Sequence, residues 1–259
     1  MVFGHTRAYE LQSVLDSLKR QNEGMDIHVW LDGHEWHPHL QSKVETCVAM
    51  VKAHHPETHL VTMNGHIGYN KLIINGLEFM AKHYEGMIIL EDDCFPTASA
   101  IRMFSRGLEE IEDQPEIFSV YGHHFLTPSE KETITRFQGW GWATTRHKLL
   151  PILDQLMNCF IMPEKDYLEW IDHQLDDEVV RRLDVTPGRN CISTMKLFFS
   201  WDSCLCLLTA QNKMLHRKTP IRVIYNCGMG EDSSHFPNIN FVRKPPYNMI
   251  PPNEIWNHY

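Results

Sequence analysis

The sequence lacks the hallmarks of several protein classes. Basic residues are outnumbered, 24 Lys and Arg against 33 Asp and Glu, and the net charge of −9 gives no reason to expect a nucleic-acid partner. No apolar run is long enough to form a transmembrane segment, and no signal peptide is recognisable. The seven cysteines include no Cys-x-x-Cys pair and no disulfide framework, which indicates reduced thiols and hence a cytoplasmic protein.

The first half of the chain alternates short apolar strands with amphipathic helices. Strands are predicted at 2–3, 27–31, 59–62, 87–90 and 117–121. Leu11, Leu15 and Leu18 share one face of the first helix; further helices are predicted at 41–53 and 69–83, and Thr97 is the expected N-cap of a fourth. The order βαβαβαβ predicts an α/β fold with a mostly parallel sheet and helices on both faces.

The second half is less regular and contains no internal repeat. Its main segments are FQGWGWATTRH (137–147), a helix-rich stretch (148–183), SWDSCLCLL (200–208), a strand (221–225) and the loop NCGMGEDSSHF (226–236). The length of 259 residues fits one large α/β domain.

Charged side chains follow three of the predicted strands. Glu91, Asp92 and Asp93 come directly after the apolar strand 87–90, Asp32 follows strand 27–31, and His5 and Arg7 follow the first strand. Ligands of open α/β sheets bind at the carboxyl ends of the strands, so these loops are expected to meet at one edge of the sheet.

The acidic run 91–93 is compatible with a metal site. Three adjacent carboxylates repel one another unless a cation lies among them, and hard oxygen ligands suit Mg²⁺ or Mn²⁺. Alternation along an extended strand end sends Glu91 and Asp93 to one side and Asp92 to the other, so at most two of the three bind the metal directly. The alternative is a solvated acidic turn or a charge cluster at a helix N-terminus.

The segment ILEDDCFP (89–96) resembles the metal-binding Asp-x-Asp-type motif of glycosyltransferases with the nucleotide-diphospho-sugar (GT-A) fold. A group of bacterial sugar-nucleotide transferase-like proteins has similar ILEDDC-P, GWGWAT-R, WD and N-G-GED--H segments in the same order. The family of the N-acetylglucosaminyltransferase that starts complex N-glycans is similar at the strand-Asp-Gly-His-Glu stretch, the Tyr-x-Lys helix and the Glu-Asp-Asp motif. Together these segments cover about residues 2–236.

The resemblance implies a fold, a reaction and a division of the chain. The fold is GT-A (Rossmann-like), with a less regular C-terminal acceptor half. The reaction is metal-dependent transfer of a sugar, with inversion, from a nucleotide-sugar donor (UDP favoured) to a hydroxyl of a glycan or other acceptor. The metal is Mn²⁺ or Mg²⁺. Residues 1–259 then form a single domain, with a nucleotide-sugar-binding half at 1–125 and an acceptor half at 126–259.

The resemblance also assigns roles around the donor. Asp93 binds the metal, with Glu91 and His235 as further metal candidates, and Asp92 contacts the ribose. Further donor contacts fall on Asp32 (the base), on His5, Thr6 and Arg7 (the nucleoside) and on Lys71 (a second positive group). Arg7 is equally compatible with a solvated residue of the first helix turn. A lone helix lysine such as Lys71 is more often simply solvated, and a surface histidine is the alternative for His235.

Two tryptophan-containing segments carry the remaining assignments. Asp202 falls where inverting relatives have the general base, which takes the proton of the attacking acceptor hydroxyl. Its alternative is a purely structural role, as a helix N-cap or a first-turn residue. Trp140 is the candidate for stacking on the donor sugar or acceptor, whereas Trp142 fits core packing equally well. His34, His37 and His39 have no zinc-binding spacing and are interpreted as loop residues.

Two rival functions remain at the level of sequence. A sugar-nucleotidyltransferase on a similar fold usually has a glycine-rich basic loop after the first strand, and Gly4-His5-Thr6-Arg7 is too short and too poor in glycine for that. A non-catalytic module that binds nucleotide sugars or glycans is disfavoured by the joint presence of the acidic run and the Trp-Asp segment.

Overall fold

The computed structural model describes residues 1–21, 24–35, 37–124, 130–183, 192, 195–230, 233, 239–245 and 247–259. The strands within them are β1 (Val2–Gly4), β2 (His28–Leu31), β3 (His59–Thr62), β4 (Gly86–Glu91), β5 (Cys94–Pro96), β6 (Ile117–Tyr121), β7 (Thr133–Ile134), β8 (Trp142–Thr145), β9 (Leu215–Lys218) and β10 (Ile224–Asn226). The helices are α1 (Ala8–Arg20), α2 (Gln41–His54), α3 (Tyr69–His83), α4 (Ala100–Ile111), α5 (Arg146–Ile161), α6 (Glu164–Gln174), α7 (Asp177–Leu183), α8 (Trp201–Gln211) and α9 (Ile239–Val242), with 3₁₀ helices at Pro38–Leu40 and Pro252–His258.

A large sheet in the order β3-β2-β1-β4-β8-β6-β9-β7 forms the centre of the described structure. β1 pairs in parallel with β2 and β4, β2 with β3, and β6 with β9. β8 lies between β4 and β6 and is antiparallel to both, and β7 is antiparallel to β9 at the edge. Six of the eight strands therefore point the same way, which confirms the predicted mostly parallel sheet.

Helices cover both faces of this sheet because successive strand residues point to opposite sides. Val2 packs in one apolar layer with α1, α2 and α4, whereas Phe3 packs in the other with α3, α5 and α8. Leu11, Leu15 and Leu18 are buried on the inner face of α1, which confirms the helical periodicity of the sequence.

The start of α4 differs from the sequence prediction. Thr97 does not cap this helix, which begins at Ala100 with Ser99 in the N-cap position. Residues 94–96 instead form β5, which pairs antiparallel with β10, and the Thr97 N–H donates to the carbonyl of Val223 at 2.8 Å. The prediction failed because a short strand pairing with a segment more than a hundred residues away leaves no local pattern.

The strand order reverses next to β1. The chain runs outward from β1 to β2 and β3, and then returns to the other side of β1 with β4. Such a switch in strand order opens a crevice at the carboxyl ends of the two neighbouring strands, and this crevice is where ligands of open α/β sheets bind.

The described cysteines are buried free thiols at positions 47, 94, 159, 204, 206 and 227, and Cys191 lies outside the described residues. Within the described part of the chain, no helix is both long enough and apolar enough to cross a membrane.

Candidate functional site

Arg7 and the acidic run meet at the switch in strand order. β1 and β4 are paired so that Phe3 lies opposite Glu91, which brings the residues after each strand side by side. One guanidinium nitrogen of Arg7 donates to Asp92 Oδ1, and the other lies 2.7 Å from Asp93 Oδ2. The backbone N–H of His5 also donates to Asp92 Oδ2 at 3.4 Å. The solvated alternative for Arg7 is therefore wrong.

The acidic run does not alternate as the sequence predicted. β4 ends at Glu91, and Asp92 and Asp93 lie in the turn that follows, so both reach the guanidinium of Arg7. The prediction that Asp92 faces away from Asp93 is wrong. Strand alternation requires extended backbone, and the strand ends at Glu91, before Asp92.

Burial changes the acidity of this cluster. Burial raises the pKa of Asp92 to about 6, against the opposing charge of Arg7. Burial and the charge of Asp93 raise the pKa of Glu91 well above its ordinary value, while the neighbouring phenol of Tyr69 opposes the rise. Tyr69, the first residue of α3, is a site residue for which sequence reasoning assigned no role, although it opens the Tyr-x-Lys segment.

Asp93 is held in place by the loop that follows β10. The side-chain amide of Asn226 lies 3.4 Å from Asp93 Oδ1, and the N–H of Cys227 donates to the Asp93 carbonyl at 2.9 Å. The next residue, Gly228, is so close that a Cβ there would lie 2.0 Å from Asp93 Oδ2. Only glycine can occupy position 228, because any side chain there would clash with Asp93. The pairing of β5 with β10 thus places backbone directly against the Asp93 carboxylate.

Asp202 approaches the acidic run from the second half of the chain. It lies in the first turn of α8, where Ser200 is the N-cap, so the N-cap role is excluded for Asp202 itself. Its carboxylate is exposed, receives a hydrogen bond from the Ser200 hydroxyl and is among the charges that raise the pKa of Glu91. The start of α8 is anchored on α3 because the Trp201 N–H donates to Asn70 Oδ1 at 3.0 Å.

The glycine turn of FQGWGWATTRH packs against the same helix start. A Cβ on Gly139 would lie 3.3 Å from the Trp201 ring and 3.6 Å from Asp202 Cβ. Trp140 is half-buried, with its ring 5.0 Å from the edge-on ring of His123. Trp142 is fully buried and packs edge-on against Phe137 at 4.9 Å, which confirms core packing for this residue.

Asp32 organises a second part of the crevice. It is 2% exposed and accepts backbone N–H groups from Gly33 (2.9 Å), Ile67 (2.9 Å) and Gly68 (3.1 Å). Nδ1 of His66 lies 2.8 Å from Asp32 Oδ2, in an orientation that does not satisfy hydrogen-bond geometry. Sequence reasoning missed His66; its signal was the glycine-flanked loop 64–68 after β3.

His5 stacks on His66 with ring centroids 5.0 Å apart and links the two parts of the crevice. Its Nε2 lies 3.2 Å from the Gly33 carbonyl oxygen. Ligand atoms of His5, Asp32 and His66 lie within 4.8 Å of one another, close enough to hold a metal ion together. The ring of His37 lies edge-on to that of His66 at 4.8 Å. Among the described residues, His34, His37 and His39 belong to no group of side chains that could hold a metal ion.

Two predicted residues that the structure describes form no hydrogen bond or ion pair with the acidic cluster. Lys71 is exposed on α3, and no ion pair between described residues joins it to Glu91, Asp92 or Asp93. Thr6 is half-buried in the loop between β1 and α1. His235 lies outside the described residues.

The acidic run has the ligand chemistry of a Mg²⁺ or Mn²⁺ site, although its three carboxylates do not bring ligand atoms within 4.8 Å of one another, as His5, Asp32 and His66 do. The cluster offers carboxylate oxygens only, from Glu91, Asp92 and Asp93, and oxygen is the ligand that these ions prefer. The His5, Asp32 and His66 group offers nitrogen as well, which suits softer transition metals.

No protein-family model matches the sequence, and a comparison with curated proteins finds no match either. Among solved structures, the mannosyltransferase PcManGT from Pyrobaculum calidifontis, in complex with GDP-Man and Mn²⁺, is 15% identical over 60% of this chain, with a TM-score of 0.40. The matched region spans 45% of that protein's chain.

Two further solved structures are similar. A 4-diphosphocytidyl-2C-methyl-D-erythritol synthase from Anaerococcus prevotii is 9% identical, with 66% of this chain and 81% of that one covered and a TM-score of 0.41. An active-site mutant of LgtC is 9% identical, with 97% and 85% covered and a TM-score of 0.43. Likeness at these values carries no weight for the reaction of this chain.

Proposed function

We propose that this chain is a metal-dependent glycosyltransferase of the GT-A type. It transfers a sugar from a nucleotide-sugar donor, with UDP favoured, to a hydroxyl of a glycan or other acceptor, with inversion. The observation that carries the proposal is the convergence of two carboxyl groups from opposite halves of the chain. The Trp201 N–H donates to Asn70 Oδ1 at 3.0 Å, which holds the Asp202 turn against α3, and the charge of Asp202 is among those that raise the pKa of Glu91. Glu91 itself ends β4, beside the strand-order switch between β1 and β4.

The donor is proposed to bind across the loops after β1, β2 and β4. In this arrangement His5, Thr6 and Arg7 flank the nucleoside, Asp32 contacts the base, and Asp92 contacts the ribose. A divalent cation, Mn²⁺ or Mg²⁺, held by Asp93 with Glu91 and His235 as further ligands, would neutralise the charge that develops on the leaving diphosphate. The half-buried position of Arg7 beside Asp92 and Asp93 supports this placement.

The acceptor reaction is proposed to use Asp202 as general base. Its carboxylate is exposed, as a base must be to take the proton from an acceptor hydroxyl. Trp140, next to the Gly139 that packs on the Trp201-Asp202 turn, supplies an aromatic surface for the sugar or acceptor. Residues 1–125 would then bind the donor and 126–259 the acceptor, with Lys71 as a more distant positive group.

Thermal unfolding with nucleotides tests this proposal directly. We would measure the melting temperature of the whole chain with UDP, GDP, CDP or TDP, each with and without Mn²⁺, because a ligand that binds only the folded state raises it. A rise with one nucleotide that requires Mn²⁺ and disappears in Asp93→Ala supports the donor site. No rise with any pair contradicts it. Metal-dependent binding with neither hydrolysis nor transfer would favour the non-catalytic binding module instead.

A further inference from the structure

Arg7 holds the place of a bridging cation between Asp92 and Asp93. Its two terminal nitrogens contact different carboxylates, Asp92 through one and Asp93 through the other at 2.7 Å. The three side chains are 20%, 4% and 11% exposed, so all are largely withdrawn from water. A guanidinium paired with a single carboxylate usually donates both nitrogens to it, whereas here one cation joins two acids.

The loop after β10 presses on this ion pair. A Cβ on Gly228 would lie 2.7 Å from Arg7 Nη1 as well as 2.0 Å from Asp93 Oδ2. Backbone therefore packs against both ends of the contact, and neither side chain can move toward Gly228.

Arg7 also provides the local charge balance. The charges of Asp93 and Asp202 raise the pKa of Glu91, and the charge of Asp93 raises that of Asp92. Among the ion pairs between described residues, those that involve any of these four acids are the pairs of Arg7 with Asp92 and with Asp93. A divalent cation that arrived alone at Asp93 would have to displace Arg7 or lie beside it, where like charges repel.

We propose that Arg7 is a built-in cation that occupies Asp93 in the free protein and transfers to the diphosphate of the donor, so that metal and nucleotide bind together. This inference rests on the function proposed above. A divalent cation bound at Asp93 would compete with Arg7 for the carboxylate with which Arg7 now forms an ion pair. The planar guanidinium could bind two oxygens of the diphosphate in exchange. Arg7 thereby makes the nucleotide a condition for tight metal binding.

The test measures Mn²⁺ binding to the whole chain by the electron paramagnetic resonance signal of free Mn²⁺, without nucleotide. We expect Arg7→Met to bind Mn²⁺ about tenfold more tightly than the wild type, because the competing charge is gone. Arg7→Lys should fall between them, since one ammonium replaces a two-nitrogen bridge. Arg20→Met is the matched control, because Arg20 lies on the same helix but stacks over Trp256, 4.5 Å from its ring.

A second arm adds UDP, with a protein-free titration to subtract the Mn²⁺ that UDP itself binds. UDP should raise the Mn²⁺ affinity of the wild type about tenfold and that of Arg7→Met by less. A folded Arg7→Met that binds Mn²⁺ no more tightly than the wild type overturns the proposal. If Arg7→Met does not fold, Arg7→Lys decides, and an affinity equal to that of the wild type overturns it.

The two arms separate this proposal from the function on which it rests. The metal-only arm needs no nucleotide, so it reports on Arg7 even if UDP does not bind. Absence of any nucleotide effect on the wild type counts against the glycosyltransferase. Tight Mn²⁺ binding by the wild type without nucleotide counts against the proposed role of Arg7, but not against the glycosyltransferase function.

Discussion

Gly228 lies against Asp93 so closely that no side chain can be added between them. A Cβ at position 228 would be 2.0 Å from the carboxylate oxygen Oδ2 and 2.8 Å from its carbon. Backbone from the second half of the chain, at Gly228, therefore restricts the position of Asp93, the candidate metal ligand from the first half. Substitutions at position 228 can test this contact.

We expect Gly228→Ala to disturb the site more than the fold. The added methyl must displace Asp93 or Arg7, and overpacking of this kind typically costs about 1–3 kcal/mol. Calorimetry should show a lower melting temperature and loss of metal-dependent nucleotide binding. Gly86→Ala is the control, because its Cβ would meet only the end of the Leu108 side chain at 3.3 Å. Normal nucleotide binding by Gly228→Ala would mean that the loop is not part of the donor site.

Asp202→Asn should preserve donor binding and remove transfer. Asparagine keeps the size and hydrogen bonding of the side chain but cannot accept a proton, and loss of a general base typically costs about 10²–10⁴-fold in rate. Transfer is measured as nucleoside diphosphate released with acceptor present, and binding by the metal-dependent melting shift. Asp166→Asn changes another exposed first-turn aspartate, on α6, and should transfer normally. Unchanged transfer in Asp202→Asn would make the base assignment wrong.

Asp32→Ala should destabilise the loop between β3 and α3. It leaves the partly buried N–H groups of Ile67 and Gly68 without their acceptor, and the loss of each bond costs at most the roughly 1–3 kcal/mol of a fully buried donor. For a chain of this size, each kcal/mol lowers the melting temperature by about 2–4 °C. Asp113→Ala, at an exposed turn, is the control and should change little. A melting temperature equal to that of the wild type would show that the loop does not depend on Asp32.

Acid should destabilise the fold through His216. This residue is fully buried on β9 with Nδ1 2.9 Å from Ser119 Oγ, and burial, assisted by the charge of Arg182, lowers its pKa to about 3. The unfolded chain binds a proton at this histidine below about pH 6.5, whereas the folded protein does not until about pH 3. Stability from this group is therefore fully present above pH 6.5 and is lost as pH falls toward 3.

Melting temperatures between pH 4.5 and 7.5 test this linkage. Their decrease on acidification should be smaller in His216→Asn, which keeps a polar partner for Ser119 but does not titrate. His54→Gln removes an exposed histidine and should retain the slope of the wild type. If His216→Asn and the wild type lose stability equally, protonation of His216 is not the cause.

Much of the fold could be predicted because the strands and helices of the first half follow from local apolar patterns in the sequence. The strands at 28–31, 59–62 and 117–121 and the helix at 69–83 agree with the apolar patterns of the sequence. The insertion of β8 between β4 and β6 was not readable, because pairing between distant strands leaves no mark on either strand alone. The start of α4 was missed for the same reason.

The candidate site was readable in part. Strand ends identified Asp32 and the acidic run, and the structure brings Arg7, Asp92 and Asp93 into contact. His66 was missed because its role depends on three-dimensional proximity to Asp32 and His5, and one histidine among 17 carries no signal by itself. The roles proposed for these residues in binding and transfer stay predictions.

The pairing of β5 with β10 has a consequence for the order in which the molecule assembles. The Cys227 thiol, which also contacts the Asp93 carbonyl oxygen, is 134 residues further along the chain. Closing so long a loop carries an entropic cost that only the later contacts offset. During synthesis, Asp93 therefore reaches its final position only after the C-terminal quarter of the chain has been made. An isolated fragment ending near residue 125 would contain the acidic run without the backbone that positions it.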